Sequence, residues 1–136
     1  MLEIKLRQFG SSIILDLCGR IDVDSANLVE VVGQCVRDGY LDILCNLEDI
    51  QAVDYMGISV VVIAYKEVVN HQGRMKFTNI PAQLRDIFTV SGIDRVIEIY
   101  ASEDVALNSF KEDKVIEDIK RMQLRRRFKR LPVDLK

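Results

Sequence analysis

The chain has 136 residues, 49% hydrophobic and 29% charged, which suits one soluble domain whose core needs no disulfide or structural metal. The longest run free of charged side chains, Tyr55 to Tyr65, is eleven residues and too short to span a bilayer as a helix. Glu3, Lys5 and Arg7 interrupt the apolar core that a secretion signal needs, so a cytoplasmic protein with no integral membrane segment is expected.

Leu2, Ile4 and Leu6 alternate with charged residues and predict a first strand. Gly10-Ser11-Ser12 then turns the chain into a second, Ile13 to Cys18, as a hairpin. Leu28, Val31, Val32, Cys35 and Val36 recur at helical spacing, with Asp24 or Ser25 as N-cap and Gly39 as the stop. Leu41, Ile43, Cys45 and Leu47 alternate as a third strand, expected to end there and to reach Asp54 by a short connection. Gly57 to Asn70 is apolar on most of its circumference, and its five valines are weak helix formers, so burial must hold it helical. Met75 and Phe77 mark a further strand. Pro81 starts a helix that turns Leu84, Ile87 and Phe88 inward and stops near Gly92. Val96 to Tyr100 is the last strand, and Ser102 caps a final helix. Strand, helix and strand in this order favour parallel crossovers. The expected fold is α/β, a mixed sheet of about five strands with one hairpin edge and about four helices.

Little in the chain suggests catalysis. Cys18, Cys35 and Cys45 fall on apolar elements, are odd in number and form no Cys-x-x-Cys pair, so buried reduced thiols are expected. His71, the only histidine, stands at a helix C-terminus, where a polar or cationic side chain serves the helix end. No general acid is paired with a base, and no Walker, Rossmann or nucleophile-elbow pattern occurs. No enzyme activity, metal site or cofactor is expected.

The segment Ala52-Val53-Asp54-Tyr55-Met56-Gly57-Ile58-Ser59 carries more information. A strand feeding a helix through Asp54 and Gly57 resembles the switch loop of the STAS domains, whose best-known members are the bacterial anti-sigma factor antagonists. Their usual loop reads Asp-Ser-Ser-Gly-Leu, and its second serine accepts the phosphate. Asp54, Gly57 and Ile58 match that pattern, whereas Tyr55 and Met56 replace both serines, and Met56 has no hydroxyl. Gly19-Arg20-Ile21-Asp22 resembles the family's Gly-x-Leu-Asp turn, and Ile93 to Leu107 resembles its last strand and the opening of its last helix. The resemblance covers roughly residues 1 to 108. It implies a STAS-like fold and a partner-switching role in bacterial signalling and regulation of transcription, through binding a kinase-like anti-sigma factor. The implied docking surface is the switch loop, Asp54 to Ser59, with a second rim loop at Asp22, Asp24 and Ser25. The usual phosphosite is absent at Met56, and Ser59 lies beyond the glycine, where the resemblance places no acceptor. Asp54 serves equally as a helix cap, Tyr55 as a core, interface or anchor residue, and Asp22 and Asp24 as helix N-terminal charges. Alternative roles are a STAS subunit that tunes a transporter ATPase or signalling scaffold, and a small nucleotide-dependent enzyme.

The net charge of −2 hides a division. Residues 111–136 hold ten Lys/Arg against five Asp/Glu, a balance of +5, and residues 1–110 hold nine against sixteen, a balance of −7. An ordinary STAS domain ends near residue 110, so residues 111–136 are expected as a basic amphipathic helical extension. Val115, Ile116, Ile119 and Met122 keep helical spacing; Leu124, Phe128 and Leu131 continue it on a rotated stripe, Arg125 to Arg130 concentrate positive charge, and Pro132 ends the pattern. Packing on the acidic body or in a homodimer, binding anionic lipid and binding nucleic acid compete as readings. The apolar stripe favours the first, with no nucleic acid partner.

Overall fold

A computed structural model describes residues 1–130, with side chains described as far as Arg127; Leu131, Pro132 and the side chain of Phe128 therefore lie outside the described residues. Strands β1 (Leu2–Phe9), β2 (Ser12–Ile21), β3 (Asp42–Val53), β4 (Arg74–Thr78) and β5 (Glu98–Tyr100) form one sheet in the order β1-β2-β3-β4-β5. The β1–β2 hairpin is antiparallel and the other neighbours are parallel. Helices α1 (Ala26–Arg37), α2 (Tyr55–Asn70) and α3 (Arg85–Val90) connect the parallel strands, and α4 (Glu103–Arg130) follows β5.

Because parallel crossovers are right-handed and the strands are added in one direction, α1, α2 and α3 all fall on one face of the sheet. Leu15, Leu17, Ile43, Cys45, Leu47 and Phe77 point to that face and pack with Leu28, Val32, Val61, Ala64, Val68 and Phe88. The opposite face belongs to α4, whose Ala106, Leu107 and Phe110 cover Ile14 and Leu44. Cys35 and Cys45 are buried as expected, and burial pushes both thiols up. Cys18 is exposed instead, because it follows Ile14 and Asp16 on the α4 face, and the described part of α4 does not cover it.

The element ends show which local signals governed the chain. At the end of α1, Gly39 is left-handed (φ +92°), and Tyr40 N–H and Gly39 N–H return to the carbonyls of Cys35 and Val36 at 3.0 and 3.1 Å. His71 caps the end of α2, its Nδ1 lying 2.8 Å from the Glu67 carbonyl. Ser102 caps α4 through Val105 N–H at 3.3 Å. β3 does not end at Leu47: through two register shifts against β2 it continues to Val53, with Gly19 opposite Ile50 between the shifts and Ile21 opposite Val53 after them. Pro81 leads into a 3-10 turn, Ala82–Leu84, so α3 starts only at Arg85. A second 3-10 turn, Ile93–Arg95, delays the last strand to Glu98, and Val96 is left exposed.

The hold on α4 is ionic as well as apolar. Lys76 of β4 is only 3% exposed. Its ammonium donates to Asp113 Oδ2 at 2.5 Å and Ser109 Oγ at 2.8 Å, lies 3.1 Å from Glu98 Oε2, and stands 4.9 Å above the Phe110 ring. Arg74, at the start of β4, reaches Asp42 at 3.4 Å and also pairs with Glu117. Arg7 joins β1 to Asp16 at 2.6 Å and to Glu103 at 2.5 Å. One unbroken helix thus passes from the sheet-bound part of α4 into its basic end.

Burial alone lowers the Lys76 pKa, but the hydrogen bonds to Asp113 and Glu98 outweigh it and the net shift is upward. A base whose folded pKa is raised contributes stability below its unfolded pKa and loses it as pH rises through the folded value. The protein is therefore expected to lose stability above about pH 10, and Asp113→Asn to blunt that alkaline loss in urea midpoints measured against pH. Removing residues 111–136 strips Asp113 from Lys76 and is expected to cost about 2 kcal/mol or more. Truncation after Lys120 keeps both Asp113 and Glu117; chemical denaturation of the two truncations separates these cases.

Candidate functional site

The C-terminal ends of β2 and β3 carry two loops that meet as one rim. At the end of β3, Asp54 is extended (φ −106°, ψ 179°), and its Oδ1 accepts the Gly57 N–H at 2.7 Å while its carbonyl accepts Ile58 N–H at 2.9 Å. The expected capping by Asp54 is thus present, but α2 opens at Tyr55, two residues earlier than expected. Gly57 has another task. A Cβ at this position would lie 1.9 Å from the Ile21 carbonyl oxygen, so only glycine lets α2 sit against the end of β2.

Across that contact, the β2–α1 loop is tied to itself. Ser25 is fully buried; its Oγ accepts from Asp22 N–H at 2.9 Å and donates to the Arg20 carbonyl at 3.2 Å. Asp22 Oδ1 accepts Asp24 N–H at 3.0 Å. Ser25 occupies the N-cap position of α1 without capping it by its side chain, because its hydroxyl is spent on the turn. The expectation that Asp24 or Ser25 supplies a side-chain cap is corrected accordingly.

The side chains divide into a framework and a surface. Gly57, Ile58 and Ser25 are buried, so Ile58 belongs to the core rather than to a contact surface. Tyr55 and Met56 are 63% and 55% exposed on the first turn of α2, and Ser59 is exposed with its Oγ 3.3 Å from the Tyr55 carbonyl. Asp24 and Asp54 are exposed and Asp22 is half-buried. Val23 is exposed in the adjoining loop and was not anticipated; a β-branched apolar residue between two aspartates in a turn was the available signal. The surface therefore offers apolar side chains on a fixed backbone, bordered by carboxylates. The Asp54 carboxylate already occupies the positive end of α2, the place an incoming anion would otherwise favour. Among the described residues no group of three or more His, Cys, Asp or Glu is arranged to hold a metal ion, and no helix is long and apolar enough to cross a membrane.

Comparison with known proteins assigns this architecture. The family model for the STAS domain matches residues 3–106, and the chain belongs to that family. It is 25% identical over 103 residues to the anti-sigma-B factor antagonist of Bacillus subtilis (strain 168), an alignment covering 76% of this chain and 94% of that protein. In fold it is similar to an anti-sigma factor antagonist from Mycobacterium paratuberculosis, with a TM-score of 0.69 at 17% identity over 80% of this chain and 93% of the other. A sulfate transporter family protein from Wolinella succinogenes shares the fold at a TM-score of 0.67, with 11% identity over 77% and 88% of the two chains.

Gly57→Ala is expected to destabilise the domain by about 2 kcal/mol or more, because its methyl group meets a backbone carbonyl that cannot move alone. Met56→Ala, on the exposed turn beside it, is expected to stay within about 0.5 kcal/mol. Denaturant midpoints of the two variants check both values.

Proposed function

We propose that this chain is a cytoplasmic regulator that docks a protein partner on the rim, in the manner of an anti-sigma factor antagonist, without phosphate gating at the usual loop position. The observation that carries the reading is the pair Tyr55 and Met56, exposed on a helix start that Asp54 and Gly57 hold fixed. An aromatic ring and a flexible thioether on a rigid turn are good contact residues, since little backbone freedom is lost on docking. Family membership supports an anti-sigma factor with kinase-like ATPase architecture as the partner class.

The mechanism follows from what the rim lacks. A phosphate in this loop would add close to two negative charges next to Asp54 and the Asp22–Asp24 turn, where they repel one another and any partner group packed on Met56. Methionine takes no phosphate. Docking is then controlled by the amounts and states of the partners rather than by modification of this loop.

Titration of the purified protein with the anti-sigma factor of the same genome tests the reading. Met56→Asp is expected to weaken binding by about 1 to 3 kcal/mol, because a charge is desolvated at a central contact, while the melting temperature stays unchanged. Unaltered affinity of this variant would move the interface elsewhere. Binding only to a transporter ATPase or a signalling scaffold would replace the anti-sigma partner.

Phosphate transfer is a separate check. Incubation with the kinase-like partner and ATP is expected to leave the wild-type loop unmodified by mass spectrometry and to phosphorylate Met56→Ser. Stoichiometric phosphate on Tyr55 or Ser59 of the wild type would contradict the ungated mechanism.

A further inference from the structure

Past the sheet, α4 carries an apolar stripe that nothing among the described residues covers. Val115, Ile116, Ile119 and Met122 are each 48–56% exposed. At about 100° per residue they span roughly 120° of the helix, nearly opposite the Ala106, Leu107 and Phe110 side that meets the sheet. The body of the protein therefore cannot cover them.

The flanking charges indicate what does. Counting outward from Ile119 in both directions, the charges that border the stripe match Asp118 with Lys120 and Glu112 with Arg126, against one like-charged pair, Lys111 with Arg127, while Asp113 and Glu117 are turned to the sheet. We propose that α4 pairs antiparallel with α4 of a second copy of this chain, about a two-fold axis at Ile119. In this register Ile119 meets its own mate, Ile116 faces Met122, and Glu112 and Asp118 each stand across from a basic residue. Parallel pairing would set Glu112 against Glu112 and Arg126 against Arg126, and would align the two helix dipoles side by side. The charge order selects the antiparallel arrangement.

The rest of the molecule is compatible with that arrangement. Glu117 is held by Arg74 beside Asp42, so α4 leaves the sheet at the starting ends of β3 and β4. The rim of Asp54 to Met56 follows the finishing end of β3. The two bodies then sit at opposite ends of the helix pair, and both rims remain free. The pairing does not depend on the partner-docking reading, since it uses no residue of the rim.

Sedimentation equilibrium from low to high micromolar concentration tests the association, and cysteine cross-linking tests its direction. The full chain is expected to be a dimer. Ile119→Asp is expected to reduce the mass about twofold while the folded circular dichroism spectrum at room temperature is kept, since Ile119 supports nothing in its own chain. In a Cys18→Ser background, Val115→Cys mixed with Gln123→Cys is expected to cross-link efficiently, and either variant alone poorly. A monomeric wild type at every concentration, a dimer that survives Ile119→Asp, or cross-linking of Val115→Cys to itself in preference to the mixture would each overturn the proposal.

Discussion

The right-handedness of strand–helix–strand crossovers organises this molecule. With the parallel strands added in one direction, α1, α2 and α3 must share a face, and the second face is left to a single helix. One helix cannot cover five strands. The chain answers with polar chemistry: Lys76 is sunk between the sheet and α4, and its charge is met by Asp113 and Glu98 with Ser109 and the Phe110 ring around it. An ammonium in such a place is tolerated only because its partners are fixed on two elements at once, so the same contacts that satisfy it also fix where α4 lies.

The rim depends on the covered face in turn. Ile21 and Val53 finish paired strands, and Gly57 presses α2 onto the Ile21 carbonyl, so the loops at these strand ends have little freedom to move apart. Burial of Ile58 and Val61 anchors the first turns of α2 from below, leaving Tyr55 and Met56 on top. Packing in the core thus determines which side chains face solvent at the site. The side chains of Tyr55 and Met56 take no part in that geometry, which rests on Asp54, Gly57 and Ile58.

Much of this was legible in the residues. The Gly10 hairpin, the helix stop at Gly39, the cap at Asp54 and the inward faces of α1 and α2 follow from local rules that tertiary packing did not override. Glu48 and Asp49 break the apolar alternation and suggest an end to β3 at Leu47, whereas pairing with β2 through the register shifts keeps the ladder going regardless. Cys18 is exposed although it lies on an apolar strand, because alternation indicates that two faces differ but not which is covered, or how far. Lys76 was invisible for a related reason: a lysine in a strand reads as solvated until a carboxylate from far along the chain closes on it. At the rim, the cap and the glycine were readable from residue type, whereas Val23 and the burial of Ile58 required knowing which loops touch.

The passage of α4 from the sheet to its basic end without a break fixes rotational phase as well as direction. Each residue of helix advances about 1.5 Å and turns about 100°. The clamp at Asp113 and Glu117 therefore sets the azimuth of every side chain after it, as a key sets the angle of a shaft. Inserting one residue just after Glu117 would leave the clamp and the rim untouched yet swing Ile119 and Met122 a quarter-turn or more around the axis. Length in this part of the chain is constrained by angle, and homologous tails should tolerate changes of seven residues far better than changes of one or two.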